Sequence, residues 1–313
     1  MAFRLNPNES VSEGVLRNVR KQLEKALEHL DAPTDRQTRR QSATDAVGEI
    51  RRSFKRIRAA LRLIREELGD ETYRKENWSF RDAARPLTQV RDAGILLETA
   101  DNLRQQFPKA IAADTFVSIR RALLANQAEI SRRVLTEEKA FAKVRESATR
   151  ALARLADWRL ERKGWAALEP GIRRVYRTGY RALAAAAENP TVASLHEWRK
   201  QTKYLWHQLQ LIEPALADAD KELVESAHSL SALLGEDHDL AVLRATLAAE
   251  PSVYGGHGAV KSVFALIDHQ RADLERRAFA LGRELYKDPP QPFMHRIAAS
   301  VSREYSNEEC REA

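Results

Sequence analysis

Val47-Gly48-Glu49-Ile50-Arg51-Arg52-Ser53-Phe54-Lys55-Arg56-Ile57-Arg58-Ala59-Ala60-Leu61-Arg62-Leu63-Ile64 carries two stripes at once. Val47, Ile50, Phe54, Ile57, Leu61 and Ile64, continued by Leu68, step by three and four and so share one face of a helix. Arg51, Lys55, Arg58 and Arg62 form a second row, roughly a quarter turn away. At 1.5 Å per residue that row is about 16 Å long. The apolar seam makes the stretch a core helix of a bundle.

The pattern returns later in the chain. Leu195-His196-Glu197-Trp198-Arg199-Lys200-Gln201-Thr202-Lys203-Tyr204-Leu205 lies over Val47 to Ile57 without a gap, and Leu211-Ile212 over Leu63-Ile64. Its seam is Leu195, Trp198, Leu205, Leu209 and Ile212, with Thr202 as the one polar step. Its basic row is His196, Arg199 and Lys203, with Lys200 beside them. Two further matches keep the order: Gly14 to Arg20 under Gly171 to Arg177, and Val90-Arg91-Asp92 under Asp237-His238-Asp239. Three ordered matches imply an internal duplication. The expected boundary lies near Gly164, giving halves 1–163 and 164–313 of four helices each, packed about a pseudo-twofold axis.

The remaining punctuation agrees with an all-α chain of about eight helices. Breaks are expected at Asp31-Ala32-Pro33-Thr34, Gly69-Asp70, Pro108, Gly164 to Pro170, Glu188-Asn189-Pro190, Pro214 and Gly255-Gly256-His257-Gly258. Between Pro108 and Gly164 neither Pro nor Gly occurs, which predicts one long helix closing the first half. N-caps are expected at Ser10 or Ser12 with Glu13, and at Asn189-Pro190-Thr191. No run alternates with the period of a strand.

Composition bounds the function classes. The 313 residues are 43% apolar and 31% charged, which is globular rather than disordered. A single cysteine, Cys310, excludes a disulfide framework and any multi-cysteine zinc site. No apolar stretch reaches the ~18 residues of a membrane span, and no signal-peptide core follows Met1, so a cytoplasmic protein is expected.

The net charge is +7. Between Arg39 and Arg65 nine basic residues face only Asp45 and Glu49, so this one stretch carries 9 − 2 = +7, the charge of the whole chain. A solvated helix face mixes signs, because like charges four residues apart repel by about 0.2–0.5 kcal/mol each. Arg51 and Lys55, and Arg58 and Arg62, have no acid between them. Either acids on neighbouring helices or an anionic ligand must offset that repulsion. Guanidinium groups pair bidentately with phosphate, and a row of them suits a repeating polyanion. Polyphosphate, nucleic acid and an acidic protein surface remain open on this ground. Phe54 and Trp198 sit on the seams rather than among the cations, and no nucleotide-binding or reading motif occurs, which disfavours base recognition.

A metal-dependent phosphohydrolase is the enzymatic alternative, with His196, His228, His238, Asp239 and Asp268 as ligands. The duplication argues against it: Arg91 matches His238 and Gly48 matches His196, and arginine does not ligate metals. Hydrogen-bond donation to an anion is the property both halves share. No nucleophile elbow, phosphate-binding loop or Cys–His pairing is present. No catalytic residue, metal or cofactor is therefore expected.

In these residues the chain resembles the CHAD family, α-helical domains named for a histidine. The likeness runs from about Ser12 to Tyr286 and is most specific at Leu195 to Tyr204, with Val47 to Arg62 as a degenerate first copy. The resemblance implies two four-helix bundles around a central basic groove or pore, binding of inorganic polyphosphate, and association with polyphosphate granules. Arg51, Arg52, Lys55, Arg58, Arg62, Arg199, Lys200 and Lys203 would supply charge and donors, and His196 a hydrogen bond. Arg17, Arg20, Arg174, Arg177 and Arg181 would close the groove, with Arg91 and His238 as further members. The chain departs from the family at Gly48, where a first-half histidine is expected.

Overall fold

Residues 3–6, 9–31, 39–108, 110 and 112–311 are described by the computed structural model, with the side chains of 39–42 and 302–311 outside the description. Within them the chain is all α, with ten helices and no strand. The first five are α1 (Val11–Asp31), α2 (Arg39–Leu63), α3 (Arg65–Gln106), α4 (Ala113–Ser131) and α5 (Ala140–Arg154). The second five are α6 (Gly164–Glu188), α7 (Val192–Ile212), α8 (Asp218–Ala249), α9 (His257–Leu285) and α10 (Pro290–Arg311).

The count exceeds eight for two physical reasons. The long helix expected between Pro108 and Gly164 is broken without either Pro or Gly. Its backbone widens into a π turn over Arg132–Glu137, and Lys139 takes a left-handed conformation with φ of 51°. That conformation costs an L-residue about 1–2 kcal/mol. The returning helix offsets it by burying Val144, Ala148 and Ala151. The buried Glu76 of α3 also accepts Nε and Nη2 of Arg154 at 2.6 and 2.8 Å. In the second half Pro289-Pro290 divides α9 from α10.

Other expected breaks hold their places with local variations. Gly69 interrupts α3 near its start with φ of 72°, a value glycine adopts freely. Helix α6 begins at Gly164 and runs through Pro170 rather than waiting for it. Ser10 and Glu13 form the reciprocal cap of α1, through Glu13 N–H to Ser10 Oγ and Ser10 N–H to Glu13 Oε2. Thr191 and Ser194 do the same for α7. Of the break at Asp31 to Thr34, only Asp31 lies among the described residues.

Helix pairing follows one scheme in each set. Helix α1 packs on α2 and α5, α2 on α3, and α3 on α4, while α6 packs on α7 and α10, α7 on α8, and α8 on α9. The sets join where α2 meets α6 and α7 and where α3 meets α8. The α2–α6 contact is close: a Cβ on Gly171 would stand 2.0 Å from the carbonyl oxygen of Leu63. Both seams read from the sequence are core, with Trp198 and Phe54 fully buried and only Leu68 at the periphery. A second, smaller core joins the far ends of α3 and α8 to α4 and α9. Between the two cores the basic rows of α2 and α7 come together.

Candidate functional site

Helices α2 and α7 present Arg51, Lys55, Arg199 and Lys203 towards one another, because the seams that pack these helices fix the flanking rows a quarter turn away. The side chain of Lys55 is exposed to solvent, yet protein surrounds it closely enough for desolvation to dominate its chemistry. The two are reconciled by its position in the wall of a cavity. Desolvation, with the charges of Arg51, Arg199 and Lys203, pushes the Lys55 ammonium down to about 7. Lys203 is pushed down to about 8 by desolvation and by Arg199, Arg52 and Arg56.

Among the described residues, Arg51, Lys55, Arg58, Arg62, Arg199 and Lys203 form no ion pair with any carboxylate. What holds them is neutral. Arg51 donates to the Thr88 hydroxyl and, at 3.4 Å, to the Ala84 carbonyl. Asn77 Oδ1 accepts Nε of Arg58 at 2.9 Å and Nη1 of Arg62 at 3.2 Å. The Arg62 guanidinium lies 4.0 Å from the centre of the Tyr204 ring, and the Lys203 ammonium 4.5 Å from that of Trp206. Nε of Arg51 and of Arg199 meets no hydrogen-bond partner.

Two carboxylates stand at the cluster. Asp92 is raised by desolvation and by Asp239, against the pull of Arg51 and Lys55. Asp239 lies 3.2 Å from Nδ1 of His238. The ring of His196 is tilted 35° to that of His238 with centres 4.8 Å apart, and burial, followed by the charges of His238 and Arg199, holds His196 below the usual histidine range. His207, on the buried side of α7, is held well below that range by burial and by Lys203, Arg56 and Lys55.

Two cavities open from the cluster. One of about 480 Å³ lies between α2 and α3, lined by Arg51, Lys55, Arg58, Arg81, Arg85 and Thr88 among others. The other, of about 340 Å³, is bounded by α3, α7, α8 and α9, with Arg91, Arg199, Lys203, Glu98, Glu236 and Asp239 in its wall.

The other residues named from the sequence fall outside this uncompensated group. Arg17 is held by Glu9 at 2.7 Å and by the carbonyl of Arg4. Arg52 pairs with Glu49, Lys200 with Glu197, Arg174 with Glu66, and Arg91 with Glu98 at 3.0 Å. Arg20, Arg177 and Arg181 are exposed on the outer helices α1 and α6. Arg177 borders a separate cavity that also holds Glu66 and Glu169. Sequence reading passed over Arg56, Arg81 and Arg85. Arg85 stands at helical spacing with Arg81 and Thr88 on α3, a row that the repeated pattern does not reach.

The ligands of the metal alternative have other engagements. Asp268 takes Arg244 at 2.8 Å, and His228 stacks on Trp206 at 4.4 Å. Among the described residues no three His, Cys, Asp or Glu side chains gather as a metal site would need. No helix in that range is long and apolar enough to cross a membrane.

The CHAD domain model matches residues 21–248. Among solved structures, the crystal structure of the CHAD domain from the plant Ricinus communis is similar to this chain with a TM-score of 0.53 and 17% identity. The match covers 92% of this chain and 96% of that one, and at this identity it speaks to the fold. No curated protein matches the sequence.

Proposed function

The chain belongs to the CHAD domain family, and from that premise we propose that it binds inorganic polyphosphate between α2 and α7. The observation that carries the reading is the set of six cations, Arg51, Lys55, Arg58, Arg62, Arg199 and Lys203, without carboxylate partners among the described residues. Mutual repulsion held in place by neutral acceptors is relieved when phosphoryl oxygens enter. Each contact is then a charge-assisted hydrogen bond. The chain acts as a binding module, with no catalytic step assigned to it, and would collect at polyphosphate granules in the cytoplasm.

Polyphosphate fits better than nucleic acid because the rings beside the cluster are engaged. Tyr204 lies under Arg62, and Trp206 is shared by Lys203 and His228, which leaves neither free to stack a base.

The test is calorimetric titration with polyphosphate at two salt concentrations, wild type beside Arg58→Glu/Lys203→Glu. Affinity should fall steeply with salt and the double variant should lose binding. A single-stranded oligonucleotide of equal phosphate count that competes equally well would replace this reading with a general nucleic-acid binder.

A further inference from the structure

Helix α3 supplies one continuous wall to both cavities. Arg81, Arg85, Thr88, Ile95, Thr99, Asn102 and Gln106 recur at three- and four-residue steps, with Asp92 completing the row between Thr88 and Ile95. From Arg81 to Gln106 that face runs about 38 Å at the helical rise. The two cavities adjoin at the cluster, since Lys55 and Arg51 in one are electrostatically coupled to Arg199 in the other. Asp92 feels Arg51 and Lys55 on one side and His238 and Asp239 on the other.

The two arms differ sharply in charge. The α2–α3 arm is lined by five cations, Arg51, Lys55, Arg58, Arg81 and Arg85, and by no carboxylate. Arg81 is tied to Asp82 at 2.9 Å, so four remain uncompensated, and Arg85 is exposed with no ion pair among the described residues. The α8–α9 arm sets Glu98, Glu236 and Asp239 against Arg91, Arg199 and Lys203, and its remaining polar lining, including Asn102, Gln106 and Gln270, is neutral. A polyanion gains at every step along the first arm and meets carboxylates along the second.

We propose that the bound polyanion leaves the central cluster in one direction only, along α3 between Arg58 and Arg85. Arg81 and Arg85 then form an outer subsite for a long linear chain of phosphoryl groups. This rests on the polyphosphate reading above. A short chain is satisfied within the cluster, whereas a long one also reaches Arg85, so chain-length preference resides in this arm.

The experiment compares Arg85→Glu with Asn102→Glu, one exposed position in each arm, by titration with tripolyphosphate and with long-chain polyphosphate at two salt concentrations. Circular dichroism and thermal unfolding establish that both variants fold. Arg85→Glu should weaken long-chain binding about tenfold, the worth of one charge-assisted contact, and flatten its salt slope by about one. Tripolyphosphate binding should stay unchanged, and Asn102→Glu should bind both ligands as wild type does. Equal losses in the two variants, or a loss confined to Asn102→Glu, overturns the one-directional path. Wild type that binds neither ligand sinks the parent reading instead, before any variant is compared.

Discussion

Asn77 accepts the Nε–H of Arg58 at 2.9 Å through a neutral amide oxygen, at a buried position where a carboxylate of the same size would fit. The same oxygen also takes Arg62. The fold thus orients two guanidiniums without discharging them. A site built for stability alone would place aspartate there.

Asn77→Asp should therefore separate stability from binding. The new carboxylate would neutralise the Arg58–Arg62 pair, raising the denaturant midpoint of the free protein. It should also weaken polyphosphate affinity by about tenfold, one charge-assisted contact's worth. Chemical denaturation and titration on the same preparation check both halves, and unchanged affinity would remove these arginines from the site.

Polyphosphate affinity should rise as pH falls from 9 to 6. In the free protein Lys55 sits at about 7 and Lys203 at about 8, so above those values they lose charge. An incoming anion raises both, and binding takes up protons across that window. Calorimetry in buffers of different ionisation enthalpy measures the uptake. Stability of the unliganded protein should move the opposite way. An unfolded lysine stays protonated to about 10.4, so between about 7 and 10 the unfolded chain binds more protons and folding gains as pH rises. Lys55→Arg should flatten both profiles.

Two glycines on the neighbouring helices α2 and α6 should respond oppositely to alanine. At Gly171 the added Cβ would stand 2.0 Å from the Leu63 carbonyl oxygen, so the α2–α6 junction must open. The expected loss is about 3 kcal/mol. At Gly48 nothing lies within 4 Å of the added atom, and alanine in mid-helix should gain about 0.5–1 kcal/mol. Urea denaturation of the two variants reads both signs.

Glu76→Gln tests what returns α5 to α3. It leaves Arg154 without its carboxylate, and a partly buried pair broken on one side costs about 3 kcal/mol. Thermal unfolding should show the loss, and protease cleavage should appear first near Lys139, where the backbone is already strained.

The seams of α2 and α7 were legible because apolar spacing alone decides them, and Trp198 and Phe54 are buried as the periodicity requires. The caps at Ser10 and Thr191 were legible for the same local reason. The break at Lys139 was not, since no residue there disfavours helix and only tertiary packing of α5 selects the turn. The basic rows were also readable, but which arginines keep their charge free was not. Arg174 finds Glu66 across the α3–α6 boundary, and Arg58 finds an amide rather than an acid. Sequence spacing cannot report such long-range choices. Arg85 was hidden likewise, because only the packing of α3 against α2 brings it to the cavity that Arg51 and Lys55 line.

The unpaired cluster has a consequence for turnover. On the polyphosphate reading, a copy without cargo retains its internal repulsion, while cargo at a hundredfold above Kd adds about 2.7 kcal/mol to the folded state. Differences of that size change how often a protein is exposed to degradation. The cellular lifetime of this chain would then follow the phosphate reserve, with starvation thinning its population and abundance preserving it.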